Sequence, residues 1–418
     1  MVELNPLLFF FLFLYVGQSA FNAWIERLNL VHSEKFDGKA PEGFDRFIDD
    51  SKLAKARAYA RAKTRIGIFG ELASDAALLV VMLSGFLPFL VRLFGRLTLP
   101  QVVAGLLFFL IIGFIDFLVE LPFGYFNTFV VEQEFGFNRS TLKLWIADLI
   151  KEGVVATVLF AAIFSILLLL IAWSPGSWWF WGFLVLSAVQ FLMTIIYPVV
   201  LAPLFNKFEP VRDEELSEKI RIQMEKSGIR VKKILQMNAG LRSRHTNAYF
   251  TGIGKTKRIV LFDTLLESHT HDEILAVLAH EAGHYRKRHV VKQLIIFAFF
   301  SLAAFYVTWL LIQWPILFQT FGFNEPVPYA GLFLAGVLLR KAGFFLQPLY
   351  MKISRRFENE ADIFSAVMLG STAPMISALM RLAADNLSNL HPHPLYVWFH
   401  YSHPPIVERV TGLENARF

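Results

Sequence analysis

Seven runs of apolar residues, each long enough to cross a lipid bilayer, leave this chain little freedom in how it folds. They lie near Leu7–Ile25, Ile66–Leu93, Val102–Leu121, Val154–Trp173, Trp178–Leu204, Val291–Phe318 and Tyr329–Tyr350. A spanning helix needs about 20 mostly apolar residues, because the hydrocarbon core is about 30 Å thick. Within that layer each segment must satisfy its own backbone polar groups, so runs of this kind become helices. The first run is expected to stay as a helix. No Lys or Arg precedes it in Met-Val-Glu-Leu-Asn, and no small-x-small cleavage site follows. Charged residues make up only 18% of the chain, below the quarter or so usual in soluble domains.

The segments between the runs differ sharply in charge. Lys and Arg crowd the first loop, from Arg27 to Arg65, the third at Arg139, Lys143 and Lys151, and the long fifth loop from Phe205 to Val290. The second loop has little beyond Arg96, and Ser174–Ser177 and Gln319–Pro328 have neither residue. Basic loops stay on the cytoplasmic side. The N-terminus is therefore expected outside, with the fifth loop and the C-terminus cytoplasmic. The net charge of +6 is a product of these loops, so no nucleic-acid partner is expected. Trp173, Trp178 and Trp179 around a short outer loop read as an aromatic belt.

The expected organisation follows: membrane helices one to five over 1–204, a soluble insertion over 205–290, helices six and seven over 291–350, and a cytoplasmic C-terminal part over 351–418. Within the insertion, Asp213–Gly228 reads as an amphipathic helix, and Val231–Met237, Asn247–Thr251 and Arg258–Phe262 as short strands. The last two would be joined by a Gly252-Ile253-Gly254-Lys255 turn. A second helix is expected over Asp272–Arg288.

That second helix carries His280-Glu281-Ala282-Gly283-His284. Histidines at i and i+4 project from one helix face and can grip a single tetrahedral zinc. The glutamate between them sits beside the metal, placed to take a proton from the attacking water. A chance match on a charged helix is the competing view; the apolar Ile274, Leu275 and Leu278 before the motif and the basic Arg286–Arg288 after it suit a real helix. The chain has no cysteine, so any further ligand must be His, Asp or Glu. Glu358 and Asp362 stand a helical turn apart beyond the seventh run; one could bind the metal while the other holds a ligand histidine, and an ordinary charged juxtamembrane helix is the competing view.

His-Glu-x-x-His in a basic loop between spans five and six, followed by Arg355-x-x-Glu358-x-x-Ala361-Asp362, resembles the type I CAAX prenyl proteases. So do Asn247-Ala248-Tyr249-Phe250-Thr251-Gly252, the stretch from Arg258 to Leu266, and His400-Tyr401-Ser402-His403-Pro404-Pro405. The resemblance covers essentially the whole chain. It implies a mainly α, polytopic membrane protein of about seven transmembrane helices enclosing a water-filled chamber, with a small α+β zinc-protease lobe. It further implies one zinc per chain held by His280, His284 and Glu358, with Asp362 and Arg355 supporting the ligands. Glu281 would be the general base and His403 an oxyanion stabiliser. Asn247, Ala248 and Tyr249 would hold a peptide or protein substrate, prenylated at a CAAX-type C-terminus, by strand addition.

Two carboxylate pairs fit a chamber independently. Glu71 with Asp75, and Asp116 with Glu120, stand at i, i+4 in spans two and three. A charge at membrane depth costs at least about 2.5 kcal/mol unless it faces protein or water. A place near the helix ends, or pairing with buried basic residues, is the alternative. His391-Pro392-His393-Pro394 reads as a proline-stiffened surface loop, and His269, His271 and His289 as interfacial residues. Three rival functions remain: a membrane quality-control metalloprotease, an intramembrane zinc protease, and a zinc-binding transporter or sensor. The charged flanks of Glu281 argue against the second, and Glu281 itself against the third. The host membrane is expected to be a bacterial inner membrane or one of the ER type.

The loop charges generate a topology prediction. A reporter fused after Phe418 is expected to read as cytoplasmic, and a tag before Met1 as external. A cytoplasmic N-terminus would undo the seven-span arrangement.

Overall fold

The computed structural model describes residues 2–36, 40–252 and 256–416. Seven helices are long and apolar enough to cross a membrane: Pro6–Glu34, Asp50–Leu83, Gln101–Glu134, Leu142–Trp173, Trp178–Phe205, His289–Leu311 and Pro328–Leu369. Local chemistry fixes their starts. Asn5 caps the first, its side chain accepting from the Leu8 amide at 3.0 Å, with Pro6 pre-set for the opening turn. Thr141 does the same for the fourth.

Two of the expected runs are interrupted. Ile66–Leu93 is not one span: the second helix stops at Leu83, Gly85 turns the chain with φ 80°, and Phe86–Arg96 forms a separate amphipathic helix. Only glycine adopts that conformation without strain. The run Val291–Phe318 also divides. Pro315 holds the preceding Trp314 extended, so the sixth span ends at Leu311 and a short helix covers Pro315–Thr320.

The spans surround a cavity of about 1850 Å³ whose wall includes Glu71, Asp75, Asp116 and Glu120. Pairing and cavity-facing turn out to hold together. Asp75 lines the cavity yet also bonds Lys341 Nζ at 2.5 Å, the Arg340 guanidinium at 3.2 Å and Ser19. Asn22 donates to Glu71 at 2.6 Å, and the Ser74 hydroxyl to Glu120 at 2.6 Å. Each carboxylate with a partner here is therefore compensated within protein, as membrane depth requires.

Between the fifth and sixth spans lies a mixed four-stranded sheet, ordered β1-β2-β4-β3, with β1 Phe208–Pro210, β2 Arg230–Met237, β3 Ala248–Thr251 and β4 Thr256–Phe262. β2 and β4 run parallel, and β3 pairs antiparallel to β4 with Ala248 opposite Leu261. β1 has no periodic signature and escaped the sequence reading. The expected helix over Asp213–Gly228 runs from Glu214 to Lys226, with Asp213 as its cap. Ile253, Gly254 and Lys255 of the expected turn lie outside the described residues.

Two helices dominate the lobe: the motif helix His271–Arg286 and the final part of the seventh span, Gln347–Leu369, here called the carboxylate helix. Ile274, Leu278 and Ala282 bury the motif helix against sheet residues Ala248, Ile259 and Leu261. Its other side meets the carboxylate helix through Ala279, Gly283 and Ala361, and the two alanines are fully buried. The crossing is tight. A Cβ on Gly283 would stand 3.0 Å from Ala361 Cα and 3.1 Å from Phe364 Cβ.

Gly283→Val is expected to force these helices apart. Overpacking of this kind costs about 1–3 kcal/mol, so Tm should fall and bound metal with it. Gly17→Ala, where nothing lies within 4 Å of the added methyl, should leave both unchanged. A Gly283→Val protein with normal Tm and metal content would show that the crossing tolerates separation.

Candidate metal centre and active site

The motif helix begins with a capping box. The Thr270 hydroxyl accepts from the Glu273 amide, and the Glu273 carboxylate accepts from the Thr270 amide at 2.8 Å. Arg381 and Ser377 bind the same carboxylate, which fixes the start of the helix. From there His280 and His284 project, one turn apart, towards Glu358 on the carboxylate helix.

Their donor atoms converge. His280 Nε2 lies 3.1 Å from His284 Nε2 and 3.3 Å from Glu358 Oε2, and His284 Nε2 lies 3.3 Å from Glu358 Oε1. A tetrahedral cation with bonds of about 2.0–2.1 Å needs its ligands about 3.3 Å apart. Glu358 is 5% exposed, and its Oε2 is buried without a hydrogen-bond partner. A buried anionic oxygen left in that condition is costly unless a cation meets it. Among the described residues, His280, His284 and Glu358 form the one group of three or more His, Asp or Glu with ligand atoms this close. The donor set fits a metal.

Behind the cluster stands Asp362, 4% exposed. His280 Nδ1–H donates to its Oδ1 at 2.8 Å, which leaves Nε2 free to face the centre. Arg409 grips Asp362 with two bonds, Nε to Oδ2 at 2.8 Å and Nη2 to Oδ1 at 2.7 Å. Burial lowers the Arg409 pKa, but Asp362 outweighs it and raises the guanidinium further. Burial likewise pushes His280 down, and the Asp362 and Glu358 carboxylates overcome it to hold the ring up at about 9. Metal must therefore compete with a proton at this ring. Burial raises the Glu281 carboxyl, a shift towards the range useful for a general base, although His280 and His284 oppose it.

His403 approaches from the C-terminal tail. Its Nε2 lies 3.4 Å from Glu358 Oε1, its Nδ1 sits 2.9 Å from the Ser402 hydroxyl, and 58% of its side chain is exposed. Pro404 and Pro405, both buried, pin the turn that presents it. Arg355 does not reach the centre. Its guanidinium donates to the carbonyls of Val397 and Tyr401 at 2.9 and 2.7 Å, and so braces the tail that carries His403. Asn247 is exposed at the entry to β3, its side chain accepting from the Ala248 amide. Ala248 is buried and Tyr249 partly so. β3 is the last strand of the sheet, and it packs against the motif helix.

Known proteins share this fold over nearly the whole chain. Residues 30–207 match a family described as the CAAX prenyl protease N-terminal region with five membrane helices, and residues 210–417 match peptidase family M48. The chain is 36% identical to CAAX prenyl protease 1 of Saccharomyces cerevisiae over 402 residues, which is 90% of this chain and 88% of that protein. The chain belongs to the type I CAAX protease family. The human homologue of CAAX prenyl protease 1 is 31% identical over 90% of this chain and 89% of its own length. The crystal structure of S. mikatae Ste24p superposes with a TM-score of 0.92 at 32% identity, covering 99% of this chain and all of that one. The protein is thus a multi-pass integral-membrane metallopeptidase that acts on peptide or protein substrates. Its motif helix lies between spans rather than inside one, unlike the intramembrane-protease rival.

Arg409 belongs to no sequence motif, and the fold brings it to the centre. It stands 47 positions beyond Asp362, so only the fold reveals the pair.

Asp362→Ala should do two separable things. Removing one partner of a buried ion pair costs about 3–5 kcal/mol, and loss of an outer partner of a ligand histidine weakens metal roughly 10–100-fold. Adding Arg409→Ala should recover part of the stability and none of the affinity. Denaturation and chelator competition read the two effects independently; joint recovery would reduce Asp362 to a structural anchor.

Proposed function

We propose that this protein is a zinc-dependent endopeptidase that cleaves peptide bonds near the C-terminus of prenylated CAAX-type substrates. The observation that carries the reading is the triangle of donor atoms from His280, His284 and Glu358, with edges of 3.1–3.3 Å. It sits in a chain 36% identical to CAAX prenyl protease 1 of Saccharomyces cerevisiae.

His280, His284 and Glu358 hold one zinc per chain. When bound, zinc acidifies water and polarises the scissile carbonyl. Glu281 takes the proton of the attacking water and passes it to the leaving amine. His403 donates from Nε2 to the developing oxyanion, a contact typically worth about a hundred- to a thousand-fold in rate. Asn247, Ala248 and Tyr249 present the open edge of β3, and the substrate adds to it as an extended strand whose main chain sets the register. Asp362 orients His280, and Arg355 steadies the tail behind His403.

The same reading assigns the helices of 1–204 and 291–350 to the membrane and the segments 205–290 and 351–418 to a cytoplasmic lobe. The basic loops on that side support it. The lipid tail of a prenylated substrate requires an apolar reception area, and the cavity wall supplies Leu78, Phe109, Phe117 and Phe333 among its acidic residues.

Two measurements test the reading. Glu281→Gln keeps size and shape but loses the proton acceptor, so zinc should remain bound while cleavage falls by several orders of magnitude. Substantial turnover in zinc-loaded Glu281→Gln would remove Glu281 from the base role. A prenylated CAAX peptide should be cut in strong preference to its unprenylated twin; equal rates would favour a membrane quality-control protease instead.

A further inference from the structure

We propose that His289 is a positioning residue for the metal centre, holding His284 through a relay that ends on Glu360. The inference rests on the assignment of His284 as a ligand through Nε2. In that case its Nδ1 must carry the proton, and it needs an acceptor.

The structure provides one. His289 Nδ1 lies 3.0 Å from His284 Nδ1, and His289 Nε2 lies 3.2 Å from Glu360 Oε2. One set of tautomers satisfies every link. His284 Nδ1–H donates to His289 Nδ1, and His289 Nε2–H donates to the Glu360 carboxylate. His289 stays neutral, and the chain of bonds carries negative character from Glu360 towards the ligand. His280 achieves the same result in one step, through Asp362. The two ligand histidines thus each lean on a carboxylate of the carboxylate helix: Asp362, four residues beyond Glu358, and Glu360, two residues beyond it.

Three features show that the position of His289 is built rather than incidental. The ring is 1% exposed, an unusual burial for an imidazole next to the end of a basic helix. It lies flat on Phe357, with centroids 4.3 Å apart and planes 9° from parallel, and Lys292 sits 5.2 Å from the centre of that same phenyl ring. The chain reaches this placement through Arg288, a non-glycine residue held at φ 56°. Such a conformation is unfavourable and persists only where its surroundings require it. Here it reverses the backbone after the motif helix, so that the first residue of the sixth span folds back onto His284. From the sequence His289 is expected to be interfacial, because no linear pattern announces a residue that returns on a left-handed turn.

The test is zinc affinity, measured by competition against a chromogenic chelator on the full-length protein, with Tm recorded alongside. His289→Phe keeps a flat ring on Phe357 and abolishes both bonds, so affinity should fall roughly 10–100-fold with little change in metal-free Tm. His289→Gln offers an acceptor and a donor and should recover part of the loss. Glu360→Gln, at the partly exposed end of the relay, should weaken zinc by a smaller factor. If His289→Phe fails to fold, Glu360→Gln decides. Wild-type affinity in His289→Phe, or in Glu360→Gln where that variant stands alone, overturns the proposal. So does a loss in His289→Phe that His289→Gln fails to relieve. His284→Ala separates this result from the ligand assignment: if it keeps stoichiometric zinc, the assignment is wrong, whereas an empty His284→Ala beside a normal His289→Phe sinks only the relay.

Discussion

Everything at the candidate centre depends on how closely two helices can approach at Gly283 and Ala361. With a hydrogen in place of a side chain, the motif helix comes near enough for His280 and His284 to meet Glu358 within 3.3 Å. Close packing also lets the carboxylate helix stitch itself to the motif helix beside that point. The Ser365 hydroxyl donates to the Ala276 carbonyl at 2.9 Å, and Asp362 reaches His280. Buried charge at such a crossing is tolerable only when every member is bonded. Arg409 completes that requirement on one side.

The membrane part obeys the same rule under a harsher solvent. Asp75 sits where an uncompensated carboxylate would be expensive, and it is met by Lys341, Arg340, Ser19 and Tyr15 from two other spans. The Lys341 ammonium also lies 4.1 Å from the centre of the Tyr15 ring and bonds the Gln18 amide oxygen at 2.7 Å. This network joins the first, second and seventh spans by polar contacts. Apolar surfaces associate weakly in lipid, since the surrounding tails are equally apolar. Polar joints of this sort therefore help define which spans are neighbours.

What the sequence made legible was whatever repeats locally. Apolar runs gave the seven spans because length and hydropathy decide that question. The i, i+4 histidines gave the motif helix, and Asp213 was readable as the start of Glu214–Lys226 because it caps the opening amides. The ends of spans were harder. Hydropathy continues smoothly through Ser84-Gly85 and through Trp314-Pro315, where the backbone turns. Long-range pairs were harder still. Arg355 is expected to support the ligands because it opens the Arg-x-x-Glu-x-x-Ala-Asp motif, but its guanidinium points to the tail. Arg409 meets Asp362 from 47 positions away and His289 meets Glu360 from 71, gaps that no spacing rule covers. The motifs pointed to the candidate ligands and to Asp362; the fold added Arg409 and His289.

The order of the chain gives the centre a property in time. His280 and His284 are made before the sixth span, whereas Glu358, Asp362, His403 and Arg409 follow only after the seventh has begun. A nascent chain paused between the two holds two corners of a three-cornered donor group and no buried anchor for them. The hydrolytic centre is therefore the last thing to be assembled. A chain threaded into its membrane span by span cannot bring His280, His284 and Glu358 together until its seventh span has been made.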